Sequence, residues 1–134
     1  MFNGPSSESE TSMMLWIYVT LAALSNGSAQ LLLEQGMRDF AVQSLGTSSL
    51  PIYLFKMLTT PLVLAGIIAA GVSMLIWLKI LTYAGVSYVF PIWMGLTFAL
   101  VLVGSSILSG EAISALRIMG VVIIVTGVFI TAMS

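Results

Sequence analysis

Asn26, Gln30 and Glu34 recur every fourth residue in AALSNGSAQLLLEQG, residues 22–36. On a helix turning about 100° per residue they cover about 80° of one face. Two carboxamides and a carboxylate in line can hydrogen-bond sugar hydroxyls or amines, and the carboxylate can also take a proton or a cation. Ser25, Gly27, Ser28 and Ala29 add small residues that let another helix approach closely. Two roles therefore compete on this face. Ser25 and Ser28 read as helix–helix glue, whereas Asn26 and Gln30 are balanced between glue and the lining of a substrate path. Glu34 belongs to that path or, equally, is an interfacial carboxylate facing Arg38 at i+4. The chain has no His and no Cys. That excludes thiolate and imidazole metal sites, disulfides, and Ser-His or Cys-His catalysis. No cofactor and no enzymatic activity are expected.

The elements that position this face follow from composition. Of 134 residues, 59% are hydrophobic and 7% charged, against roughly 25% charged in a soluble domain. Four basic and five acidic side chains cannot coat a water-facing surface, so the fold class is all-α integral membrane. A net charge of −1 provides no basic stripe for nucleic acid; the bilayer is the expected surrounding. Four apolar stretches reach the roughly 20 residues of one crossing: 13–34, 61–82, 86–108 and 113–133. Residues 1–12 read as a polar, acidic tail without the basic start of a signal peptide. The connections 83–85 and 109–112 are short, so consecutive spans are antiparallel neighbours. Residues 35–60 form one long loop, in which Tyr53, Leu54, Met57 and Leu58 share a stripe beside Lys56, the pattern of a short interfacial helix. Arg38, Lys56 and Arg117 fall on one side and Lys79 on the other, which places the long loop inside. Three against one is a small bias, and insertion in both orientations stays open.

Other positions carry weaker signals. Lys79 follows Trp77 by two residues and reads as a snorkelling cation; at headgroup depth it can also meet a lipid phosphate. The same two roles apply to Arg117, one turn inside the last span. Glu111 suits the positive end of the helix dipole that follows it. Pro91 interrupts the third span, frees the carbonyl of Ser87 and predicts a kink. Tyr83, Tyr88, Phe90 and Trp93 form an aromatic wall there, with Tyr88 and Trp93 assigned to the path. Gly120 and Gly127, seven apart, lie nearly on one line, a helix–helix contact within a protomer or between two.

Several of these residues carry a resemblance, in order along residues 13–133. Trp77-Leu78 ends the second span; VSYVFPI (86–92) sits in the third; SGE (109–111) precedes the fourth, which contains GVVIIVTGV (120–128). Together they resemble the four-helix members of the drug/metabolite transporter superfamily, including EamA-type proteins and small multidrug resistance transporters. The resemblance implies transport by alternating access and a bacterial inner-membrane location. A chain this small encloses little cavity alone, so a homodimer or paralogous heterodimer in antiparallel arrangement is expected. Where the multidrug exporters carry a membrane-embedded glutamate, this chain has Asn26; their pocket tyrosine matches Phe90 and their tryptophan matches Trp93. SNGSAQLLLEQG (25–36) is instead similar to the first-helix pattern of subunits thought to flip aminoarabinose-phosphoundecaprenol. Gln30 matches a glutamine of that pattern, and Glu34 stands where lysine is frequent. The expected cargo is a polyprenyl-phosphate-linked sugar or related amphiphile, with Lys79 and Arg117 as headgroup cations. A proton-coupled exporter of small cations through Glu34, and a non-transporting membrane subunit, are the alternatives.

Overall fold

The computed structural model describes residues 5–43, 46 and 49–134. They form five helices: α1 (Pro5–Gln43), α2 (Leu50–Thr59), α3 (Pro61–Ile80), α4 (Val86–Ser109) and α5 (Ala115–Met133). Three of them, α3, α4 and α5, are long and apolar enough to cross a membrane. The chain is accordingly an all-helical membrane protein. In α1 the run of Ser25, Asn26, Gly27, Ser28 and Gln30 dilutes the apolar stretch.

α1 is longer than its apolar core. Its 39 residues extend about 58 Å at 1.5 Å per residue, against about 30 Å of hydrocarbon. Residues 5–12, expected as a tail, are helical. Pro5 opens the helix and Glu8 lies in its first turn, both favourable at a positive dipole end. At the other end the helix continues through residues 35–43 of the expected loop, because Gly36 and Phe40 are buried there. α2 occupies most of the remainder, with Pro51 in its first turn. It buries none of its residues and touches α1 through an edge-on Phe40–Tyr53 contact at 4.9 Å. Residues 1–4, 44, 45, 47 and 48 of these segments lie outside the described residues.

α1 is the hub, packed against α3 along one stripe and α4 along another. Toward α3, the Ser25 hydroxyl donates to the Ala69 carbonyl at 2.8 Å, and Ser73 donates to Ala22 at 2.9 Å. Serines bonded to a neighbouring backbone are the glue expected of Ser25. Ser28 is exposed. Toward α4, Gly27 lies against Leu100 and Gly104 against Leu31. Val19, Ala22, Ile80, Val89 and Ile92 form the core near the α3–α4 turn. α5 packs chiefly on α4, through Val128 on Gly95, and none of its residues is buried.

Glycine matters most where backbones meet. A Cβ on Gly36 would stand 2.7 Å from the Val63 nitrogen and 3.0 Å from the Leu62 carbonyl carbon, atoms that cannot rotate away. Gly36→Ala is expected to cost about 1–3 kcal/mol by overpacking, read as a lower thermal midpoint in detergent. Gly71→Ala, with no neighbour within 4 Å, should leave the midpoint unchanged or raise it. Equal midpoints for the two variants would contradict the α1–α3 contact.

Candidate functional site: a polar strip along the central helix

The face of α1 toward α3 is marked by Ala22, Ser25, Leu33 and Gly36, and that toward α4 by Gly27, Leu31 and Glu34. At about 100° per residue, Asn26 and Gln30 fall between these two stripes. Asn26 is half-buried and Gln30 exposed. Among the described residues, neither carboxamide makes a hydrogen bond to the protein. An unpaired amide in hydrocarbon costs several kcal/mol. Were α1 to lie in hydrocarbon, the pair would need a partner from outside the chain.

Glu34 differs from its two companions. Its Oε1 accepts from Arg38 Nη2 at 2.7 Å, and its Oε2 accepts from the Ser105 hydroxyl at 3.1 Å. The same guanidinium nitrogen reaches Glu111 at 3.3 Å, and Glu111 meets Arg117 Nη1 at 3.5 Å. Beside this alternating row, the Gln35 amide donates to the Ser109 hydroxyl at 2.7 Å. The end of α1 is thereby tied to the end of α4 and the start of α5. Arg117 also follows an N-cap, its backbone N–H donating to the Ser114 hydroxyl at 3.2 Å. Glu111, expected as a dipole partner of the helix it precedes, also bridges two arginines. The Glu34–Arg38 pair is legible as i, i+4. Ser105, Gln35 and Ser109 could not be assigned, because only the fold brings α4 beside α1.

Tyr88 and Trp93 lie toward the opposite end of α4. The Tyr88 hydroxyl donates to the Ala132 carbonyl at 3.3 Å, so it fastens α5. Trp93 stacks on Trp77 at 4.8 Å, and its buried indole N–H has no partner. Trp93 and Ser105 are twelve residues apart on one helix, about 18 Å at 1.5 Å per residue. The five residues assigned to the path are therefore spread along the molecule and do not meet in one pocket. Lys79 and Arg117 are likewise separated, since α4, about 36 Å long by its 24 residues, runs between their ends. Within one chain they cannot hold one phosphate together. Lys79 is exposed, with its ammonium 5.5 Å from the Tyr83 ring centre. α4 continues through Pro91, which leaves the Ser87 carbonyl without its usual helical donor. Gly120 and Gly127 are exposed on α5, and a Cβ built at either would meet no other element of the protomer.

No family model, curated protein or solved structure matches this chain. The chemistry of the site rests on its own geometry. One further feature fits an amphiphile: a cavity of ≈ 270 Å³ between α4 and α5, with an apolar floor of Phe98, Leu102, Val121 and Ile124, ends at Ser105, Glu111 and Arg117.

The pairing of Glu34 leads to a modest expected effect. Glu34→Gln keeps an acceptor for Ser105 and loses only a half-exposed ion pair, worth about 0–1 kcal/mol. Under the transport expected from the resemblance, movement in membrane vesicles should fall no more than a few-fold by that estimate. Complete loss, together with disappearance of a pH dependence present in the wild type, would favour proton-coupled cation export.

Proposed function

We propose that this chain is a subunit of a membrane transporter that moves a polyprenyl-phosphate-linked sugar, or a related amphiphile, between leaflets. The observation that carries the reading is the unpaired Asn26–Gln30 strip, bordered on both sides by tightly packed helix contacts. Neutral amides suit hydroxyls passing a dry interior, whereas a free cation asks for an available carboxylate, and Glu34 is already paired. The likeness of SNGSAQLLLEQG to the aminoarabinose-lipid flippase pattern supports the same cargo class.

In this reading α1 also crosses the bilayer, as the first of four spans. One chain offers an open strip rather than an enclosed chamber, so two copies, or a copy and a paralogue, complete the path, arranged antiparallel as inverted repeats. The unoccupied Gly120–Gly127 face of α5 supplies the contact. Rocking of the two halves then exposes the strip to each leaflet in turn, with no covalent step. Within one chain Lys79 and Arg117 lie at opposite ends of the bundle, so the antiparallel pair presents one of each to the phosphate at either membrane face. A bacterial inner membrane is the matching location.

The test is movement of a fluorescent polyprenyl-phosphate sugar across vesicles prepared from cells expressing the chain. Faster movement than in vesicles lacking it supports the reading; equal rates contradict it.

A further inference from the structure

A second site lies away from the polar strip. Asp39 and Phe40 of α1, Lys56 and Thr59 of α2, and Thr60 and Leu62 at the start of α3 surround a cavity of ≈ 440 Å³, within the roughly 300–1,000 Å³ of small-molecule sites. Its charges are opposite, exposed and unmatched: among the described residues no ion pair joins Asp39 to Lys56 or either to another group. Thr59 and Thr60 each donate their hydroxyl proton to the Lys56 carbonyl at 3.0 Å. Their oxygens keep lone pairs free to accept from a ligand in the cavity. Buried Phe40, braced edge-on by Tyr53, gives the cavity a rigid wall.

The occupant must bring a cation and an anion held a short chain apart. The cavity opens where the apolar crossing of α3 begins, beside α2, whose Leu50, Ile52, Phe55 and Leu58 are all exposed. A short helix with a bare apolar face next to the start of a span rests at the headgroup level of a bilayer. We propose that this cavity binds the headgroup of a phosphatidylethanolamine. Lys56 receives the phosphate, while Asp39 and the threonine oxygens receive the ammonium. The acyl chains leave along the apolar face of α2. The site serves a resident lipid and is independent of the cargo read above.

The experiment uses the full chain purified in a mild detergent and titrated with dioleoyl phosphatidylethanolamine, phosphatidylcholine and phosphatidylglycerol, with bound lipid counted by native mass spectrometry. Phosphatidylcholine has no ammonium N–H to donate and phosphatidylglycerol has no cation. Each should bind roughly tenfold more weakly than phosphatidylethanolamine, the scale of one charge-assisted hydrogen bond. Asp39→Asn and Lys56→Gln should each reduce phosphatidylethanolamine binding by roughly the same factor. Glu10→Gln, at the far end of α1, should not. Equal retention of the three lipids by the wild-type chain would overturn the proposal, as would full phosphatidylethanolamine binding by both folded variants. Displacement of the lipid by free O-phosphoethanolamine at equal concentration would assign the cavity to a soluble zwitterion and overturn the lipid site.

Discussion

Leucine at both Gly120 and Gly127 is expected to lower dimer recovered by crosslinking in membranes by about tenfold or more, equivalent to about 1.4 kcal/mol. In lipid no hydrophobic drive joins helices, and close van der Waals packing carries association. α5 presents two faces. Val121, Val125 and Val128 turn toward the protein, whereas Leu116, Gly120, Ile123, Gly127 and Ile130 are exposed at heptad spacing. The glycines form shallow steps between branched side chains, the relief that a second helix needs. Because a Cβ built at either glycine meets nothing within 4 Å beyond its own stretch of helix, the leucines leave the fold of one chain intact. Far-ultraviolet circular dichroism should remain that of the wild type while the dimer disappears. An unchanged dimer with unchanged transport would remove this face from the account.

Asn26→Leu with Gln30→Leu is expected to separate transport from assembly. Neither carboxamide bonds to the protein, so their loss costs the protomer little, about 1 kcal/mol or less even for polar groups that do act as glue. Dimer level should stay at the wild-type value. Transport should fall at least tenfold, the effect of removing two cargo hydrogen bonds at roughly 0.5–1.5 kcal/mol each. A loss of dimer in proportion to transport would instead assign the pair to helix packing. Measuring dimer fraction and transport on one preparation decides between the two.

The sequence made the three long apolar helices and the neutral strip legible because both depend on local composition and on a period of 3.6 residues. The ends of α1 were harder to read. Polarity at residues 5–12 suggests a tail, yet proline and acidic residues at a helix start are compatible with continued helix, and Gly36 is held by α3 rather than by propensity. The two most visible glycines, Gly120 and Gly127, face no other helix of the protomer. The ones that fix the fold, Gly36, Gly66, Gly95 and Gly104, sit at positions that mean nothing until the partner helix is known. For the same reason the assigned path residues diverge. Spacing placed Asn26, Gln30 and Glu34 on one face, but Tyr88 engages α5 and Glu34 engages an ion row that needs α4 and the α4–α5 link.

The central claim is that the Asn26–Gln30 strip carries a lipid-linked sugar. Its most direct measurement is the rate at which a fluorescent polyprenyl-phosphate sugar becomes accessible on the opposite leaflet. That rate is compared between wild-type vesicles and vesicles carrying the Asn26→Leu, Gln30→Leu double variant at equal dimer content. The account predicts a wild-type rate well above that of vesicles without the protein, and a variant rate near that background. Equal rates for wild type and variant would contradict it.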